Sequence, residues 1–253
     1  MRVGIMIEGQ EGLTWERWRR LVQAAEEMSY ESLCRSDHLT GLWGEARRPS
    51  LETWTSLTVL AMHTRRIRFG PMVSPVTFYH PALLAKMAVA LDTLSNGRMD
   101  LGLGGGWNEH EHAMFGIALP PMKERLDRLE AASRYIRALG VGEPVTLEQP
   151  YYPLHKAENY PLPTHGRLRL VIGGRGEKRT LRIAAARASF PQMPADEDGW
   201  RKASFLVGAP ADVVASLKEW EAAGVQRVLL QMLDMEDLAA IELFARHVLP
   251  QVT

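Results

Sequence analysis

The side chains able to do chemistry in this sequence stand where short apolar runs end. Asp37 and His38 follow residues 32–36, Glu8 follows residues 2–7, and Ser74 follows residues 67–73. Residues 99–103 open onto Gly104, Gly105 and Gly106, then Trp107, Asn108, Glu109, His110, Glu111 and His112, and residues 168–172 open onto Gly173, Gly174, Arg175 and Gly176. An imidazole titrating near neutrality suits proton transfer to or from a reacting oxygen; the alternative is that Asp37 caps a turn and His38 is a satisfied structural histidine. Consecutive glycines remove every Cβ from one place, which permits positive φ and lets a ligand approach the main chain. They equally suit a plain strand exit with Trp107 packed on the core. The second glycine cluster stands before a helix, where free N–H groups and the helix dipole favour a phosphate, with Arg175, Lys178 or Arg179 adding charge; an ordinary strand-to-helix turn is the other reading.

Several chemistries drop out on inspection. Neither cluster fits G-x-G-x-x-G, since Trp107 and Arg179 occupy the final glycine positions, and neither a P-loop nor a nucleophile elbow occurs. His110, Glu111 and His112 hint at a metal, but Met114 stands where a second helical zinc ligand belongs, so no metal is expected. Thirty basic and thirty acidic residues balance, and no basic and aromatic interleaving favours nucleic acid. A single cysteine, Cys34, forbids an intrachain disulfide. With 46% hydrophobic and 24% charged residues, a start too short for a signal peptide and no run long enough to span a membrane, a cytoplasmic globular protein is expected.

Positioning these groups requires a particular order of elements. Strands are read at residues 2–7, 32–36, 67–73, 99–103, 168–172, 188–190, 203–207 and 225–232. Helices are read from Thr14 through Met28, over 51–63, from Pro81 to a stop at Asn96–Gly97, and over 120–140, 178–188, 211–223 and 235–249. Residues 141–167, rich in Pro and Tyr, form an excursion. The strict alternation implies parallel βαβ units in one α/β domain spanning 1–253, closed into an eight-stranded barrel or wound as an open sheet. In a barrel the polar strand ends converge at the carboxyl face.

Several segments resemble the luciferase-like flavin and deazaflavin oxidoreductases, in particular the coenzyme F420-dependent group. The matching stretches are SDHL at 36–39, the block 51–130, LVIGGRGEKRTLRIAAARA at 170–188, then VGAPADV and AAGVQRVLLQ. The resemblance implies a TIM (β/α)8 barrel and an oxidoreductase moving hydride between coenzyme F420 and a small organic substrate, with an FMN-dependent monooxygenase or a cofactor-less structural subunit as the alternatives. It implies that Asp37 contacts the ring's polar edge and His38 the substrate, and that Val73 and Ser74 form a bulge behind the ring, where relatives often carry a non-prolyl cis peptide. It also assigns Asn108, the Gly104–Gly106 backbone and the Gly173, Gly174, Arg175, Gly176 loop to the cofactor's tail. Trp107 stands where some relatives carry a glutamate, so the general-acid role passes to Glu109, the nearest acid. Tyr79 replaces an arginine common among relatives. The connection at 188–203 is short, implying a thinned crossover between strands six and seven and an apolar flank covered in a homodimer.

Overall fold

The computed structural model describes residues 1–43, 47–173, 206, 208–232 and 234–252. β1 (Arg2–Ile7) buries alternate β-branched side chains and pairs in parallel with β2 (Ser32–Arg35) on one side and β9 (Arg227–Met232) on the other. β2 pairs in parallel with β3 (Arg68–Pro71). A cis peptide between Met72 and Val73 then separates β3 from β4 (Ser74–Pro75), which pairs with β5 (Asp100–Gly104), itself paired with β8 (Arg169–Ile172). The strand expected at 67–73 therefore stops at Pro71, and Ser74 and Pro75, which the sequence offers as its terminators, form a separate short strand serving a different neighbour. Phe69 bridges Met99 in parallel and joins the halves into one arc. Gly70 makes that approach possible, because a Cβ there would collide with the Asp100 carbonyl oxygen.

The arc is curled. In the order β9-β1-β2-β3-β5, β9 and β5 are four strand spacings apart, about 19 Å in a flat sheet. Yet Arg227 of β9 donates from Nη1 to Asp100 Oδ2 of β5 at 2.8 Å, and Arg68 Nε donates to Asp100 Oδ1 at 3.0 Å. Asp100 is fully buried, so the Arg227 pair spans the interior of a rolled wall. The connection between β8 and β9, with the expected strands six and seven, the 178–188 helix and the short crossover, lies outside the described residues, and so does closure of the barrel.

Helices cover the outside of the wall in the expected alternation. α1 (Trp15–Glu27) starts at Thr14, whose hydroxyl accepts from Arg17 N, and buries Trp18, Leu21 and Ala25. α2 (Thr53–His63) is capped by the Glu52 carboxylate. α3 (Pro81–Leu94) has proline in its first turn, and Asn96 and Gly97, at φ 57° and 83°, turn the chain into β5. After β5 come the short α4 (Glu109–Met114) and α5 (Met122–Ala138). The excursion at 141–167 contains an antiparallel hairpin, β6 (Val145–Leu147) with β7 (Leu154–Ala157). α6 (Pro210–Ala222), α7 (Leu238–His247) and α8 (Leu249–Val252) flank β9 in sequence. The core, with Leu33, Leu57, Phe69, Leu101 and Leu103 buried, lies around the strand wall. Among the described residues no helix is long and apolar enough to cross a membrane.

Candidate functional site

Each parallel strand sends its carboxyl end to the same side of the sheet, and the polar groups meet there. Glu8, just beyond β1, accepts from Gln10 Nε2 at 2.8 Å and from Gln231 of β9, while Gln10 accepts from Ser36 beyond β2. These bonds, two buried and one part-buried, tie three strand ends together.

Asp37 is buried and accepts from the Ser74 hydroxyl and from Tyr79 OH, the latter at 3.2 Å. Burial pushes its carboxyl above the usual range, against the opposing pull of Ser74, Arg35 and Tyr79. Burial likewise raises the Tyr79 phenol, helped by the charge of Asp37. Tyr79 is thus spent as a donor to Asp37.

His38 stands beside Asp37 in sequence but joins a different element. Its Nδ1 lies 2.8 Å from Glu111 Oε2 of α4, and Glu111 Oε1 accepts from the Leu39 N–H. Burial works against ionising Glu111, but the His38 imidazole and the N–H groups of Leu39 and Thr40 outweigh it and hold the carboxyl below the usual range. A carboxylate only accepts, so Nδ1 is the nitrogen that carries a proton toward Glu111 and Nε2 is the one turned away from it. That nitrogen has no hydrogen-bond partner among the described residues. Trp107 meets the imidazole edge to face, with centroids 5.9 Å apart.

The glycine run is shaped by Val73. A Cβ on Gly104 would stand 2.5 Å from Val73 Cγ2, one on Gly102 3.0 Å from Val73 Cγ1, and one on Gly173 3.0 Å from both Val73 methyls. Gly173 is drawn in by its N–H to the Leu103 carbonyl at 2.8 Å. Three missing Cβ atoms therefore seat one half-buried valine behind a stretch of bare backbone. Gly106, at φ 76°, lies where a Cβ would meet Thr77 Oγ1 at 2.5 Å, and Arg125 of α5 holds its carbonyl oxygen. His112 Nδ1 donates to Asn108 O at 2.6 Å, which leaves Nε2 to accept from Thr77 at 2.8 Å. By contrast, a Cβ on Gly105 would meet only Arg125 Cβ, at 3.9 Å. The surface offers an apolar Val73 backing, backbone free of side chains at Gly105, and the His38 imidazole nearby.

Asp37, His38, Val73, Ser74, Gly104, Gly105, Gly106, Asn108 and Gly173 all stand at this end of the strands. Gly174, Arg175 and Gly176 lie outside the described residues. Asn108 is the N-cap of α4, its Oδ1 accepting from Glu111 N at 2.8 Å, and its amide N–H2 makes no hydrogen bond among the described residues. Glu109 is exposed, without a contact to His38 among the described residues; the acid that meets His38 is Glu111. Residues 108–111 read as a helix start with an acid three places on, a pattern that ordinarily assigns Glu111 to local capping. Its real partner is 73 residues away in sequence. Thr77, His112 and Arg125, which fix the loop from behind, carry no spacing that marks them.

Among the described residues no cluster of His, Cys, Asp and Glu could hold a metal ion. Residues 1–190 match the family model described as luciferase-like monooxygenase. Over 142 residues the chain is 37% identical to F420-dependent glucose-6-phosphate dehydrogenase of Kineococcus radiotolerans, covering 55% of this chain and 41% of that protein. It is 30% identical over 213 residues to F420-dependent hydroxymycolic acid dehydrogenase of Mycobacterium tuberculosis, covering 83% and 58%. The chain thus spans about half the length of the curated relatives it matches. Its fold superposes on the coenzyme F420 dependent tetrahydromethanopterin reductase from Methanopyrus kandleri with a TM-score of 0.77 at 17% identity, over the whole of both chains. It superposes on an F420-dependent secondary alcohol dehydrogenase, solved with an F420-acetone adduct, with a TM-score of 0.78 at 17% identity, over 100% and 99% of the two chains. The chain belongs to the luciferase-like monooxygenase family.

Proposed function

We propose that the chain is a coenzyme F420-dependent oxidoreductase that transfers a hydride between the deazaflavin and the alcohol or carbonyl carbon of a small organic substrate. The observation that carries this reading is the His38–Glu111 pair, 2.8 Å apart, set beside a glycine run with no side chain to obstruct a ring. Relatives named for F420-dependent dehydrogenation support the choice of cofactor. When bound, the deazaflavin supplies a carbon that takes up or releases hydride. The chain's own residues do the rest. Val73, Gly104, Gly105, Gly106 and Gly173 seat the ring, Asp37 and Ser74 meet its polar edge, and the Gly174–Gly176 loop with Arg175 and the Asn108 amide take the tail.

In the oxidising direction a substrate C–H bond breaks with hydride loss, and the hydroxyl proton moves to His38 Nε2 as the C=O bond forms. Reduction returns the proton from the same atom. Glu111 fixes the tautomer that makes Nε2 the acceptor and stabilises the imidazolium that results. Glu109 has no part in this proton path.

Titrating the purified chain with F420 and with FMN tests the reading, since the two absorb at different wavelengths. Micromolar binding of F420 in preference to FMN is expected. Preferential binding of FMN would move the assignment to a flavin monooxygenase, and binding of neither by a folded chain would overturn both.

A further inference from the structure

The rim around His38 carries an unusual load of apolar surface. Leu39, Trp43, Trp107, Met114, Phe115 and Met122 are each between 36% and 59% exposed. They come from three pieces of chain that hydrogen bonds lay side by side. Glu111 binds both His38 and the Leu39 N–H, so the loop after β2 lies along α4. Phe115 N donates to Glu111 O at 3.1 Å, placing Phe115 one helical turn from that acid. Arg125, in the first turn of α5 with Met122, reaches back to the Gly106 carbonyl next to Trp107, and Trp107 stands against His38. Exposed apolar residues scattered singly are ordinary, but here they stand on each of the segments that hydrogen bonds bring to His38.

Among the described residues of these segments, three cations are paired. Arg48 pairs with Glu11 at 3.7 Å and Lys123 with Asp127 at 3.0 Å, while Arg125 is spent on the Gly106 and Pro120 carbonyls. Arg47, exposed in the loop between β2 and α2, is the described cation nearest in sequence that remains for an anion. Apolar side chains on the segments around His38, together with the pairing of Arg48, Lys123 and Arg125, suit an uncharged ligand with a long apolar body.

Resting on the function proposed above, we infer that the substrate is an apolar alcohol or ketone, with a long alkyl or fused-ring body lying on the Trp107–Phe115 rim and its oxygen at His38, and not a phosphorylated sugar. The probes are a homologous series of methyl ketones and glucose 6-phosphate, titrated calorimetrically into the chain with and without saturating F420. Ketone affinity should tighten about two- to fourfold per added methylene until the rim is covered. Trp107→Ala and Phe115→Ala, both at exposed positions and so harmless to folding, should each flatten the series. A flat series with and without F420 overturns the inference, as does glucose 6-phosphate binding that Arg47→Ala abolishes. F420 affinity, measured in the same preparations, is a separate readout: its absence would overturn the proposed function, whereas F420 binding with a flat ketone series would overturn only the substrate class.

Discussion

Replacing Glu111 with glutamine removes one charge and little volume, and the geometry around it sets the size of the effect. The wild-type carboxylate accepts from His38 Nδ1 with one oxygen and from the Leu39 N–H with the other. Glutamine offers a single oxygen and turns an NH2 toward the second donor, so one donor is left facing another. Hydrogen bonds to charged groups contribute about 1.5–3 kcal/mol each, and a neutral replacement keeps less than half of that. The pair is well buried, with side-chain exposures of 14% and 1%, so solvent screens the loss only weakly. A loss of about 2–3 kcal/mol falls on the state in which His38 carries the transferred proton, which corresponds to a roughly 30- to 150-fold drop in kcat/KM. F420 affinity should stay within about threefold, since Glu111 lies behind the imidazole and not under the glycine run; that margin matches the ordinary spread of a substitution outside the binding contacts. The assay is the steady-state absorbance change of F420 with a substrate that turns over, paired with a binding titration. Glu109→Gln is the internal control, expected to leave kcat/KM within about threefold because its carboxylate is exposed and apart from His38. A larger loss from Glu109→Gln, or wild-type turnover by Glu111→Gln, refutes the role given to Glu111.

Two adjacent glycines should respond in opposite ways. Gly105→Val adds a side chain where the nearest atom to its Cβ is 3.9 Å away, so thermal stability should hold while F420 affinity falls at least about tenfold, read by titration. Gly106→Val forces a β-branched residue to φ 76° against Thr77 Oγ1, and denaturant unfolding should show a loss of about 1–3 kcal/mol or more. Asp37→Asn tests the buried carboxyl through pH. Because burial raises the folded-state value, the folded chain binds more protons than the unfolded one between the ordinary aspartate value and the raised one, and stability falls as pH rises through that window. Asparagine should abolish that fall, so the gap between variant and wild type in urea melts should widen in the variant's favour from about pH 4 upward. A gap independent of pH would show that Asp37 is not buried as described.

The fold is legible in the sequence wherever local chemistry and periodicity agree. Thr14, Pro81 and the Asn96–Gly97 pair act as cap, first-turn residue and stop, because each role depends on the backbone within a few residues. β3 reads two residues too long, to Val73, because Met72 and Val73 are apolar, and β4 reads as a stop because Ser74 and Pro75 are turn residues. What divides the two is pairing: Pro71 belongs to the register of β2, and Ser74 to that of β5. The hairpin at 145–157 is hidden for a related reason, since its strands are only three and four residues long and their alternation is too brief to register.

The candidate site divides along the same line. Glycines and the Asp37–His38 step stand out because residue type alone limits what they can do, and strand ends of one parallel sheet must converge. The partners that give those residues direction are set by tertiary contact. Glu111 serves His38 because the loop after β2 is laid on α4, and Arg125 fixes Gly106 because α5 crosses behind the loop. Glu109 is the natural reading from proximity to the glycine run, yet a helix rotates successive residues by about 100°. Two places along α4 therefore separate an acid facing solvent from one buried against the imidazole. The proton transfer proposed above accordingly depends on the α4 docking angle as much as on His38 itself. A substitution that shifts α4 without touching the imidazole, such as loss of the Asn108 cap, should act on the same proton transfer as removal of Glu111.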